Sequence, residues 1–274
     1  MNSATLLSGV ALAYLVCWFA YLIHVASRWK WLGRIATGLL VLSWVLNTAG
    51  MGLRWVESYE LGFGRIPLTN QYESMILFGW TIALLYMLIE LRYRNRTLGA
   101  FVTPLPFLSI GLGSLLFGAE IRPLVPALRS NWLTAHVITC FMGYAAFAVS
   151  FGVSVLYLVK GHAGEGSFSR VFPSPSLLDD INYRAIAVGF AFLSVGIITG
   201  AIWADAAWGN YWSWDPKETW SLITWLVYAA FLHARFARGW SGRRTAILSV
   251  AGFGAMLFTY LGVNFLLSGL HSYA

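Results

Sequence analysis

The sequence predicts an all-α polytopic membrane protein with about eight transmembrane helices and both termini on the non-cytoplasmic side. Three observations lead there. Of 274 residues, 58% are hydrophobic and 11% charged, where a soluble domain carries about 25% charged residues. The apolar residues gather into runs of about 20, the length that crosses a bilayer as a helix. The 18 basic residues are distributed unevenly between alternate loops, which orients such a chain.

Taken in order, the spans are expected at Thr5–Ala26, Leu32–Leu53, Tyr72–Leu91, Leu98–Gly118, Trp132–Val159, Arg184–Ala204, Glu218–Phe236 and Thr245–Leu267. The first is too long for a signal peptide and lacks a small-residue cleavage site, so it reads as a retained helix. The fourth contains Pro104 and Pro106 and should kink. Thirteen basic residues fall at Arg28–Arg34, Arg92–Arg96, Lys160–Arg184 and Arg235–Arg244, and five (Arg54, Arg65, Arg122, Arg129, Lys217) in the alternate set. The richer set is assigned to the inside. The outside then receives the polar loop Arg54–Gln71, the loop Ala119–Asn131 and a tryptophan-rich stretch. A formal charge of +7 in this setting reports topology, and nucleic-acid binding is excluded. Cys17 and Cys140 lie in separate apolar runs, form no C-x-x-C pair and read as small buried residues. The chain divides into residues 1–66, with two spans and an outside loop, and residues 67–274, which carry the remaining spans.

The stretch from Ala204 to Trp225 holds Trp208, Trp212, Trp214, Trp220 and Trp225 with Tyr211 around a small polar set. Interfacial aromatics at helix ends account for two or three of these, not for a loop dominated by them. Such a platform, with Gly209 in it, suits a large flat apolar ligand with a polar edge. Asp215-Pro216-Lys217-Glu218 reads as a helix start, with an acceptor at the cap, Pro at the first position and Glu at the third. That start fixes the tryptophans before it.

Two histidines flank the membrane on the same side as this loop. His136 lies a turn or two into the fifth span, with Cys140 and Gly143 on the same face leaving room for a flat ring. His271 follows the last span. Either alone reads as an interfacial or capping residue. Together, beside the tryptophans, they read as ligands, because neutral imidazole commonly binds heme iron axially. His233 lies 17 residues beyond Pro216, roughly 25 Å along a helix crossing a core of about 30 Å. An ionisable residue at that depth marks a functional site by default, although a hydrogen bond to a neighbouring helix also explains it. His24 sits at similar depth and reads as structural, or as a partner to His233. The five outside basic residues are candidates for meeting propionates.

W-G-N-Y-W-S-W-D-P-K-E-T-W-S resembles the WWD signature of the heme-handling proteins of cytochrome c biogenesis. L-T-N-Q-Y-E-S-M-I-L-F-G-W, L-V-P-A-L-R-S-N-W-L-T-A-H-V and F-L-L-S-G-L-H-S-Y-A resemble the CcsA/ResC family of the system II pathway, called CcsB in some bacteria and present also in chloroplasts. The resemblance runs from about Pro67 to Ala274. CcmC and CcmF proteins share the tryptophan motif but fit the flanking blocks less well. The resemblance implies His136 and His271 as external axial ligands of heme b, with Trp208, Gly209, Trp212, Trp214 and Asp215 in the external platform, a loop spanning 204–220. It implies His233 as an intramembrane ligand whose opposing histidine comes from a ResB/Ccs1-type partner. The implied function is part of a holocytochrome c synthase. Such a protein binds heme, moves it outward and presents it for thioether attachment to the C-x-x-C-H of apocytochrome c, and a thiol-reducing membrane protein of the same pathway is a possible further partner. The implied location is a bacterial inner membrane or a thylakoid membrane, with the tryptophan loop facing the periplasm or lumen. Two alternatives remain: a CcmC-like exporter handing heme to a separate chaperone, and a b-type electron-transfer protein.

Overall fold

The structure is a computed structural model that describes residues 2–162, 171–267 and 269. Every regular element among the described residues is helical: α1 Ser3–Ser27, α2 Lys30–Glu60, α3 Gln71–Tyr93, α4 Gly99–Val102, α5 Pro104–Leu116, α6 Asn131–His162, α7 Pro175–Trp208, α8 Pro216–Arg238, α9 Arg243–Leu257 and α10 Val263–Leu266. A 3₁₀ turn at Pro126–Leu128 precedes α6, and a π-helical turn at Phe258–Gly262 joins α9 to α10. Among the described residues, seven stretches are long and apolar enough to cross a membrane: α1, α2, α3, α4 with α5, α6, α7, and Arg243–Leu266. At 23 residues α8 has the length, but Lys217, Glu218, His233, Arg235 and Arg238 dilute its apolar character.

The helices differ from the expected spans at their ends, and each difference has a local cause. The fourth span breaks at Thr103, where Pro104 and Pro106 enter a new helix as first-turn residues. At 31 residues α2 is about 46 Å long, so Arg54 and Glu57 stand on a helix and not in the polar loop where they were expected. α7 starts at Pro175 behind a Ser174 cap and runs on to Trp208, so the tryptophan loop is confined to residues 209–215. Gly209 ends α7 in the left-handed region (φ 78°), as a C-terminal glycine does.

The chain forms two compact units, Met1–Leu124 with Ala163–Pro173, and Val125–His162 with Ser174–Ala274. In the first, Glu73 is clasped by two arginines. Arg54 Nε donates to its Oε1 at 2.9 Å, and Arg65 donates to both oxygens at 2.7 and 2.9 Å. The guanidiniums also bond the Ala119, Glu120 and Arg122 carbonyls, tying the loops to α2 and α3. All three side chains are buried. Further along α3, Glu90 accepts from Tyr21 at 2.6 Å, Tyr86 at 2.8 Å and Thr37 at 2.5 Å, and pairs with Arg96. These bonds make each buried carboxylate tolerable in an apolar setting.

The second unit is built on close approach of α6 and α7. Gly143 meets the Gly189 carbonyl and Leu193, and Cys140 lies against Gly196. Small residues at such crossings let membrane helices pack closely. Ser150 of α6 bonds Asn182 of α7 and Ser249 of α9, and Thr224 of α8 pairs with Thr259 in the π-helical turn. At one end Asp179 bonds Arg235, the Gly242 amide and Thr245.

Candidate functional site

His136 is the sixth residue of α6 and faces α7. The approach is possible because α7 carries glycine at 196 and 200. A Cβ on Gly200 would stand 2.6 Å from His136 Nδ1 and 2.7 Å from Cε1. In this slot the ring nitrogen Nδ1 lies 2.7 Å from the Gly196 carbonyl oxygen. A carbonyl only accepts, so Nδ1 carries the hydrogen, and in the neutral imidazole Nε2 carries the lone pair. This is the anchoring by which a ligating histidine is usually oriented. Trp203 stacks on the ring at 6.1 Å and 18°, and its own indole N–H donates to the Ala127 carbonyl. Trp208 meets Trp203 edge-on at 4.9 Å. One face of α7 thus carries the carbonyl, the gap and the aromatic wall for His136.

The loop after Trp208 turns back into α8. Asp215 caps that helix by accepting from the Lys217 amide at 3.0 Å, and Glu218 completes the capping box. Both roles match the expectation from sequence. Trp212 and Trp214 stand perpendicular, 5.7 Å apart. Lys217 donates to Asn264 at 2.7 Å, linking the start of α8 to α10. It also lies close enough to Asp215 and Cys140 to interact with both. The Cys140 and Gly143 face of α6 does not stay open for a flat ring. It is filled by Gly196, Gly189 and Leu193 of α7. Trp225 also packs inward, tilted against Phe190 at 5.0 Å and bonded to Ser194.

The remaining expected residues divide clearly. His233 is exposed on α8, and His271 lies outside the described residues. His24 is held within the first unit, its Nδ1 3.0 Å from the Trp29 carbonyl, as a structural histidine would be. Arg54 and Arg65 are committed to Glu73 and buried, so they are not surface partners for a ligand. Arg122 pairs with Glu120, whereas Arg129 is exposed on the turn before α6. Trp203, Gly196 and Gly200 were missed in the sequence. The signal was present, since Gly196-x-x-x-Gly200 is the small-residue spacing of close helix contacts.

Fold and site together define a polytopic helical membrane protein with an oriented imidazole beside a tryptophan-rich turn. The profile of the family described as cytochrome C assembly protein matches residues 68–271, and the chain belongs to that family. It is 40% identical to the cytochrome c biogenesis protein CcsA of Synechococcus elongatus, covering 89% of this chain and 88% of the relative. It is 41% identical to CcsA of Guillardia theta (87% and 85% covered) and 35% identical to CcsA of Synechocystis (96% and 94%). The fold is similar to a solved structure, cytochrome c heme lyase CcmF, with a TM-score of 0.67 at 17% identity. That match covers 96% of this chain and 49% of the other.

Proposed function

We propose that this protein binds heme b and presents it for covalent attachment to apocytochrome c, within a holocytochrome c synthase of the system II type. The observation that carries the reading is His136, whose Nδ1 is anchored on the Gly196 carbonyl, the tautomer that puts the lone pair on Nε2. Heme here is the substrate in transit. His136 from α6 and His271 from the end of the chain are its two axial ligands at the outer face. Trp208, Gly209, Trp212, Trp214 and Asp215 form the platform over it, and Arg129 is the basic residue suited to a propionate. At attachment, each thiol of the C-x-x-C-H segment adds across one vinyl group. A carbon–sulfur bond forms, the thiol hydrogen passes to the adjacent vinyl carbon, and the segment's histidine takes over an axial position. Two thiols and two vinyls must meet in one geometry, so positioning is the main catalytic contribution.

An inner station at His233 fits the exposure of that side chain on α8. An imidazole left exposed at membrane depth suits completion by a separate chain, here a ResB/Ccs1-type partner. With α8 crossing as an eighth span, both termini and the tryptophan loop face the periplasm or lumen, the orientation that the distribution of basic residues favours. The test is coexpression of the chain with such a partner and an apocytochrome c, followed by measurement of covalent heme. Covalent c-type heme is expected without any further heme chaperone. If it forms only when a separate chaperone is added, the exporter reading replaces this one.

A further inference from the structure

Trp214 has φ of +59°, the left-handed region. A bulky aromatic there is a backbone outlier, since that region favours glycine and asparagine. Such outliers persist where the surroundings over-determine them. Here the surroundings are one carboxylate. Oε2 of Glu218 accepts the Ser213 amide at 2.8 Å, the Ser213 hydroxyl at 3.2 Å and the Asp215 amide at 3.1 Å. The two amides flank Trp214. Their convergence on one oxygen is an anion nest, a concavity that a left-handed residue produces. Thr219 Oγ1 donates to the Trp214 carbonyl at 3.3 Å, closing the turn from the other side. The result leaves the Trp214 side turned outward, 69% exposed, while Trp212 braces it at a right angle.

We propose that Glu218 is the positioning residue of the tryptophan loop. By binding the amides on either side of Trp214 it holds that residue left-handed and so aims its ring. The Asp215 amide bond belongs to the capping box of α8, in which Asp215 accepts the Lys217 amide in turn, but the bonds to the Ser213 amide and hydroxyl reach beyond that box. It rests on the reading above that the ring meets heme. A Glu at the third helical position is legible as a cap, but its second task needs the loop's backbone to be seen.

The experiment uses the purified full chain with Glu218→Ala, Glu218→Gln, Trp214→Ala and the Glu218→Ala/Trp214→Ala double variant. Hydrogen exchange is read over residues 209–215 and over α8, and heme retention is measured alongside. Glu218→Ala should speed exchange at the Ser213 and Asp215 amides about tenfold while the middle of α8 stays protected. Glu218→Gln keeps an acceptor oxygen and should fall between. Heme loss in the double variant should be no greater than in Trp214→Ala, because Glu218 acts through that ring. Unchanged exchange in the loop overturns the proposal, as does additive heme loss with α8 loosened throughout, which is the signature of a cap alone. If the loop loosens as expected while every variant keeps wild-type heme, the clasp stands and the heme platform reading falls.

Discussion

Gly200→Ala places a methyl group against the ring of His136. The added Cβ would stand 2.6 Å from Nδ1 and 2.7 Å from Cε1, so the ring must retreat by roughly 0.8 Å to reach ordinary contact. Overpacking of this kind costs about 1–3 kcal/mol, whereas swinging the ring aside costs only the Gly196 carbonyl bond, about 0.5–1.5 kcal/mol. The free protein can relax by swinging the imidazole away, so its melting temperature should fall only slightly. A ligand that needs Nε2 in its original place must pull the ring back and bear the cost. The affinity penalty is the overpacking cost less the bond already lost in the free protein, so heme affinity should drop roughly 5-fold at mid-range and at most about 70-fold, at about 1.4 kcal/mol per tenfold. The assay is heme titration of the purified variant, with Gly38→Ala as control because nothing lies within 4 Å of that added Cβ. Wild-type heme affinity in Gly200→Ala would refute the argument that the glycine slot orients a ligand.

Three further outcomes follow from the same geometry. Glu73→Gln leaves Arg54 and Arg65 buried without their counter-charge, and should destabilise the first unit by about 3–5 kcal/mol, read from thermal unfolding. His233→Ala should leave unfolding within about 0.5 kcal/mol of wild type, since the side chain is exposed, yet reduce the heme co-purifying with the partner complex. Asp215→Ala should cost about 1 kcal/mol through loss of the α8 cap, visible as faster amide exchange in the first turn of that helix.

The parts of this protein legible in its sequence are those set by local chemistry. Long apolar runs marked the helices, Pro104 and Pro106 marked the break at Thr103, and Asp215 with Glu218 marked the start of α8. What was not legible depends on which side chains meet across the fold. Arg54 and Arg65 look like outside surface charge in sequence, because nothing local shows that both converge on Glu73. Cys140 and Gly143 look like an open face until α7 fills it. Trp214 gives no sign of its backbone strain, since the carboxylate that enforces it lies in the next helix turn. His136 was found from its depth and its neighbours in the motif. Its tautomer emerged only with the Gly196 carbonyl in place.

Coordination of heme by His136 through Nε2 is the proposal on which the outer site depends. The most direct measurement is the absorption spectrum of the purified protein carrying His136→Ala, taken with and without added imidazole. Loss of heme or a changed axial-ligand spectrum is expected in the variant, with recovery when imidazole fills the space left by the ring. Unchanged heme content and spectrum without imidazole would contradict it.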